Sequence, residues 1–130
     1  MSVSESDLPE LIAETFWAIL DDKIPDEIVN QMLWYHLGYR YDPASQAWDV
    51  SQVDEVWTET YPDPPDFIGS RPATIKLTRS IPKENKQLLK SELGFGGYTV
   101  DELNPRRTRR ATAVNWFLNY LKQSAASNTG

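Results

Sequence analysis

Four arginines within five residues, Arg106, Arg107, Arg109 and Arg110, are the part of this chain whose type and spacing most suggest chemistry. A guanidinium offers a planar fork of donors that fits a carboxylate or phosphate two bonds at a time, so this cluster predicts a site for an anionic group. Asn104-Pro105 just ahead reads as a helix start, which places all four in the first turn and a half of a helix. Cations there oppose the helix macrodipole at about 0.3 to 1 kcal/mol each when exposed, so something other than helix propensity must compensate them. Lys83, Lys86 and Lys90 recur at three-and-four spacing on the preceding predicted helix, and Arg71, Lys76 and Arg79 extend the same positive field.

The compensating anions have two sources. Residues 1–70 hold 15 acids against 2 bases (net −13), and residues 71–130 hold 4 acids against 11 bases (net +7), within an overall charge of −6. The two halves either neutralise each other, with Asp21, Asp22, Asp26, Glu27, Asp49, Asp54, Glu55 and Glu59 as available partners, or leave the basic half open to another molecule. A partner protein with an acidic surface is the expected occupant. Nucleic acid, RNA in particular, is the alternative, although domains of that kind tend to be basic overall.

Other chemistry is poorly served. His36 is the only histidine and falls beside Met32 and Leu33 at helical spacing, which suits packing; no His-Glu-x-x-His or Gly-x-Ser-x-Gly pattern accompanies it. Asp63 and Asp66 sit among prolines and read as turn formers, and Asp21 and Asp22 read as helix-end caps. Gly94-Phe95-Gly96-Gly97 follows a helix and lacks the Lys-Ser/Thr of a phosphate loop. There is no Cys, which excludes disulfides, thiolate nucleophiles and thiolate metal sites. No catalytic residue, cofactor or metal site is predicted, and an enzyme working through carboxylates near the aromatic middle ranks last.

Composition frames this reading. The 130 residues are 40% hydrophobic and 12% aromatic, which fits one packed domain over residues 1–123 with a flexible tail over 124–130. The acidic, polar N-terminus resembles neither a secretory signal nor a transit peptide, and no apolar run approaches the roughly 20 residues of a membrane span, so a soluble cytoplasmic protein is expected. The oligomeric state is left open.

The elements that must carry the arginines follow from pattern. Asp7 and Glu10 suggest a capping box ahead of Leu11, Ile12, Thr15, Phe16, Ile19 and Leu20, a helix ending near Asp22. A second helix spans Pro25 to Leu37 and stops at Gly38. Tyr39 and Tyr41, the turn Asp42-Pro43-Ala44-Ser45, and Trp48 and Val50 predict a β-hairpin. Asp49 or Ser51 caps a short helix through Val53, Val56 and Trp57, ended by the prolines of 62–65. Ile75 and Leu77 alternating with Thr74, Lys76 and Thr78 predict a half-buried strand over 73–80. A helix opened by Ser80 and Pro82 stops at Gly94, Thr99 to Glu102 forms another capping box, and the last helix runs from Pro105 to about Gln123. The class is α+β: four or five helices packed on a small, mostly antiparallel sheet made of the hairpin and one further strand.

Ile24-Pro25-Asp26-Glu27-Ile28-Val29-Asn30, Gly38-Tyr39-Arg40-Tyr41-Asp42-Pro43 and Asn104-Pro105-Arg106-Arg107-Thr108-Arg109-Arg110 together resemble a small family of uncharacterised proteins from cyanobacteria and plant plastids. The resemblance extends over nearly the whole chain. It implies no catalytic residues, only a housekeeping or assembly role in photosynthetic cells.

The expected function is therefore that of a small binding or assembly module. Its contact residues are Arg106, Arg107, Arg109, Arg110, Lys83, Lys86 and Lys90.

Overall fold

The structure is a computed structural model and describes residues 7–129. One long helix, α6 (Pro105–Thr129), organises it: α1 (Ala13–Leu20), α2 (Asp26–Leu37), α4 (Arg71–Ser80) and α5 (Leu88–Leu93) all pack against it. A hairpin of β1 (Arg40–Asp42) and β2 (Ala47–Asp49) and the single turn α3 (Glu55–Thr58) complete the α+β architecture. The core lies where α1, α2 and α4 meet the inner face of α6. Phe16, Ile19, Val29, Met32, Leu33, Leu77, Val114 and Phe117 are each at most 2% exposed there.

Local chemistry explains most of the boundaries. Gly38 ends α2 at φ 110°, and a Cβ there would sit 2.4 Å from the Gln52 carbonyl oxygen, so both the turn and the close approach require glycine. In the hairpin, Tyr41 pairs with Trp48, and the Asp42 carboxylate holds the turn by accepting from Ala44 N (3.0 Å) and Ser45 Oγ (2.9 Å). Asp54 caps α3 by accepting from Val56 N at 2.9 Å. Asn104 opens α6, its Oδ1 accepting from Arg107 N at 2.8 Å, with Pro105 in the first helical position.

Several expectations change; the helix expected from Ser80 and Pro82 to Gly94 is broken into a 3₁₀ turn over Lys83–Asn85 and the separate α5 from Leu88. Residues 73–80 are not the further strand of the sheet: Arg71–Ser80 is helical, and the sheet has two strands among the described residues. Ser70 Oγ accepts from Ala73 N (3.4 Å), Pro72 fits the first turn, and Ala73 and Leu77 bury one helical stripe. The β-branched Thr74 and Thr78 are accommodated by donating back to the carbonyls of Ser70 (3.2 Å) and Thr74 (3.0 Å). The helix expected after Asp7 and Glu10 begins later, at Ala13, and Ile12 in its N-cap position makes no side-chain cap. Finally, α6 continues to Thr129 instead of stopping near Gln123.

Candidate functional site

The arginines of α6 face into the chain. Arg106 and Arg110 are four residues apart and share one helix face. Arg106 grips Asp22 with both terminal nitrogens, Nη1 to Oδ2 at 2.9 Å and Nη2 to Oδ1 at 2.5 Å, while its Nε donates to Asp26 Oδ2 at 2.7 Å. Arg110 is 0% exposed. Its Nη1 donates to the other oxygen of Asp26 at 2.6 Å, its Nε to the Ile19 carbonyl at 3.0 Å, and its Nη2 to the Ile24 carbonyl. Arg107 donates to the Leu20 carbonyl (3.2 Å), lies 3.7 Å from Glu102 Oε2, and places its guanidinium 4.9 Å from the ring centroid of Tyr98. Arg109 donates to the Ile68 carbonyl at 3.1 Å.

These contacts account for four cations at a helix N-terminus. The last carbonyls of α1 have no partners within their own helix; Leu20 receives its donors from Arg107 and the Tyr98 hydroxyl (2.8 Å), and Ile19 gains Arg110 beside the N–H of Asp22. A charge unfavourable at the start of α6 is thus placed where the end of α1 favours it. Asp22 lies just beyond α1 at φ 62°, with Asp22 N and Lys23 N closing onto the carbonyls of Ile19 and Ala18, so the same residue turns the backbone and supplies the carboxylate. The hydrogen bond from Arg106 holds the Asp22 carboxyl below its ordinary range and raises the Arg106 guanidinium.

Asp66, grouped with Asp63 on sequence, is a turn former. Its Oδ1 accepts from Asn30 Nδ2 (2.7 Å), Gly69 N (2.9 Å) and Ile68 N (3.0 Å). Burial opposes its ionisation, but the bonds from Gly69, Asn30 and Ile68, with Arg109 nearby, outweigh it and keep the carboxyl below the ordinary value. His36 lies between the rings of Tyr35, Phe117 and Tyr120 and borders a shallow groove whose one acid is Glu10. Among the described residues no three of His, Cys, Asp and Glu cluster to hold a metal.

The lysines belong to a different surface. The segment from Asn85 into α5 meets α6 at Asn115 and Asn119: Asn85 Nδ2 donates to Asn119 Oδ1 (2.9 Å), Asn115 Nδ2 to the Asn85 carbonyl (3.1 Å), and Leu89 N to Asn115 Oδ1 (3.1 Å). That level is nine residues, about 13 Å, further along α6 than the arginines. Lys86 donates to the Thr78 carbonyl at 2.7 Å, while Lys83 and Lys90 are exposed and meet no carboxylate among the described residues. The structure therefore does not unite the arginines and lysines in one site.

An open groove of about 410 Å³ lies between α3 and α4. Val56, Trp57, Tyr61, Pro72 and Ile75 line it together with Lys76 and Arg79. Lys76 Nζ stands 5.3 Å from the Trp57 ring centroid. Neither cation pairs with a carboxylate among the described residues, and the acids of α3, Glu55 and Glu59, do not line the groove. Reading 73–80 as a strand hides this feature, because only a helix brings Pro72, Ile75, Lys76 and Arg79 to one side.

A chain with this helical frame matches, over residues 10–122, a family described as a domain of unknown function, DUF1823, and it belongs to that family. A protein whose structure was determined by solution NMR is 47% identical and superposes with a TM-score of 0.76, covering 96% of this chain and 98% of its own. No curated protein matches. Among the described residues, no helix is long and apolar enough to cross a membrane.

Proposed function

We propose that this protein is a non-enzymatic protein-binding module, and that its receiving surface is the α3–α4 groove and not the arginine cluster. The observation that carries this reading is an apolar groove lined by two cations that have no carboxylate of their own. Such a surface fits an acidic segment that presents an apolar anchor, with the charges setting encounter and register and the anchor setting residence. Arg106, Arg107, Arg109 and Arg110 serve the fold.

The test is an NMR titration of the isotopically labelled protein with a synthetic peptide of alternating Glu and Leu. Shift changes confined to 56–61 and 72–80, absent in Lys76→Glu/Arg79→Glu and absent with a Lys/Leu peptide, are the expected result. No change in the wild type, or changes that persist in the double variant, overturns the proposal. Mixed-sequence RNA is the competing probe: binding to it that weakens steeply with salt and vanishes in the same variant would assign the surface to nucleic acid.

A further inference from the structure

We infer that the segment this groove receives is carried by a second copy of the same chain, as the turn Thr99–Leu103; the inference rests on the groove reading above. Val100 is 89% exposed and Leu103 58%, more than any other large hydrophobic side chain among the described residues. Apolar groups shown to water this fully on one short turn ask for a counterpart.

The turn is not loose chain. Thr99 N and Oγ1 donate to Glu102 Oε1 at 3.2 and 3.0 Å, and the N–H groups of Glu102 and Leu103 both donate to the Thr99 carbonyl at 3.0 Å. Glu102 Oε2 faces Arg107 at 3.7 Å, and Tyr98, next in the chain, is pinned to the Leu20 carbonyl. The Val100 and Leu103 side chains are therefore held ready on a fixed support, which lowers the ordering cost of docking.

The two surfaces match in kind. The turn offers two aliphatic side chains flanking the acids Asp101 and Glu102, and the groove offers an apolar lining with Lys76 and Arg79. Val56, 55% exposed in the groove, is the apolar counterpart left uncovered on the other side. The turn is anchored to the end of α1 and the groove is built by α3 and α4, so turn and groove are separate surfaces of one molecule. We take one turn to enter one groove, so contact between copies is head-to-tail and each pair leaves one free turn and one free groove. A single turn in a shallow groove buries less than a standard interface of about 1,600 Å², so association is weak and concentration-dependent.

Sedimentation velocity on the full chain, from micromolar to about 1 mM, tests this. The average mass should rise with concentration and fall with added salt. Val100→Asp and Lys76→Glu/Arg79→Glu should each weaken association at least about tenfold while keeping the wild-type melting curve. Mixed in equal amounts, these two variants should recover a 1:1 dimer and nothing larger, because one intact turn then meets one intact groove. A wild type that stays monomeric at about 1 mM, association that survives either variant, or a mixture that fails to dimerise overturns the inference. If the Glu/Leu peptide binds the groove while the chain stays monomeric, the groove reading stands and the second copy falls; if neither occurs, both fall.

Discussion

Two groups of cations, the arginines at the start of α6 and the lysines between Lys83 and Lys90, look alike as charges and are put to opposite use. Arg106 and Arg110 reach two carboxylates and two backbone carbonyls of the corner between α1 and α2. Lys83 and Lys90 reach no carboxylate among the described residues, and Lys86 reaches one carbonyl. The residue type follows the task. A guanidinium satisfies several fixed acceptors at once, whereas an ammonium is a hydrated point charge that stays at ease in water. What the contrast teaches is that charge spacing along a helix does not mark a binding site. The test is whether acceptors of the same chain already stand within bonding distance.

The strongest way to break this contrast is at Arg110. Arg110→Ala leaves Asp26 with Arg106 alone, strips the Ile24 carbonyl of its donor and leaves the Ile19 carbonyl with Asp22 N only, while emptying a fully buried site, so a loss of about 3 kcal/mol in urea unfolding is expected. Arg110→Lys should recover little of it, because one ammonium cannot span those acceptors. If Arg110→Ala unfolds like the wild type, the inward reading of the cluster fails. Arg106→Glu should cost less, about 1 to 2 kcal/mol, since its side chain is 43% exposed and its pairs are partly screened.

A smaller effect follows from acid. The Asp22 carboxyl titrates below its ordinary value when folded, chiefly through its hydrogen bond from Arg106, so the unfolded chain takes up that proton first as pH falls. The stabilisation is fully present above the ordinary carboxylate value and drains away as pH drops through the folded one. Asp66 is lowered in the folded chain too, and drives part of the same decline. Urea midpoints between about pH 6 and pH 3 should therefore fall more steeply in the wild type than in Asp22→Asn, which keeps a side chain tolerant of positive φ and removes the titrating charge. Equal slopes would show that Arg106 gains nothing from Asp22.

Much of the frame was legible from residue types whose local chemistry is self-contained. Gly38 and Gly94 stop helices, Asp42 shapes the hairpin turn, Asn104-Pro105 opens α6, and Glu102 reaches back to Thr99 N as a capping box would, though around a turn and not at a helix start. The region of Arg71–Ser80 was misread because Ile75 and Leu77 alternate with β-branched threonines, a pattern of period two; the decisive helix signals were Ser70, Pro72 and the four-residue step from Ala73 to Leu77. The groove was invisible for the same reason. The arginine network was half legible: charge sorting offered mutual neutralisation of the halves as one of two readings, and Asp22–Asp26 and Arg106–Arg110 share a spacing of four, yet contacts across 84 residues depend on how α1, α2 and α6 pack.

The sharpest form of the comparison uses the smallest effect. Lys83→Glu/Lys90→Glu reverses as many charges as Arg106→Glu/Arg110→Glu would, on side chains that are exposed and pair with no carboxylate among the described residues. Substitutions at such positions stay within about 0.5 kcal/mol of the wild type, so unfolding curves of the lysine variant should overlay those of the parent. Binding of the Glu/Leu peptide should nevertheless weaken, since two charges whose field attracts an acidic segment to this half of the chain now repel it. Stability moved by arginines and binding moved by lysines would separate the two roles within one basic half of the chain. A lysine variant that unfolds early would instead make Lys83 and Lys90 part of the same internal neutralisation and erase the contrast.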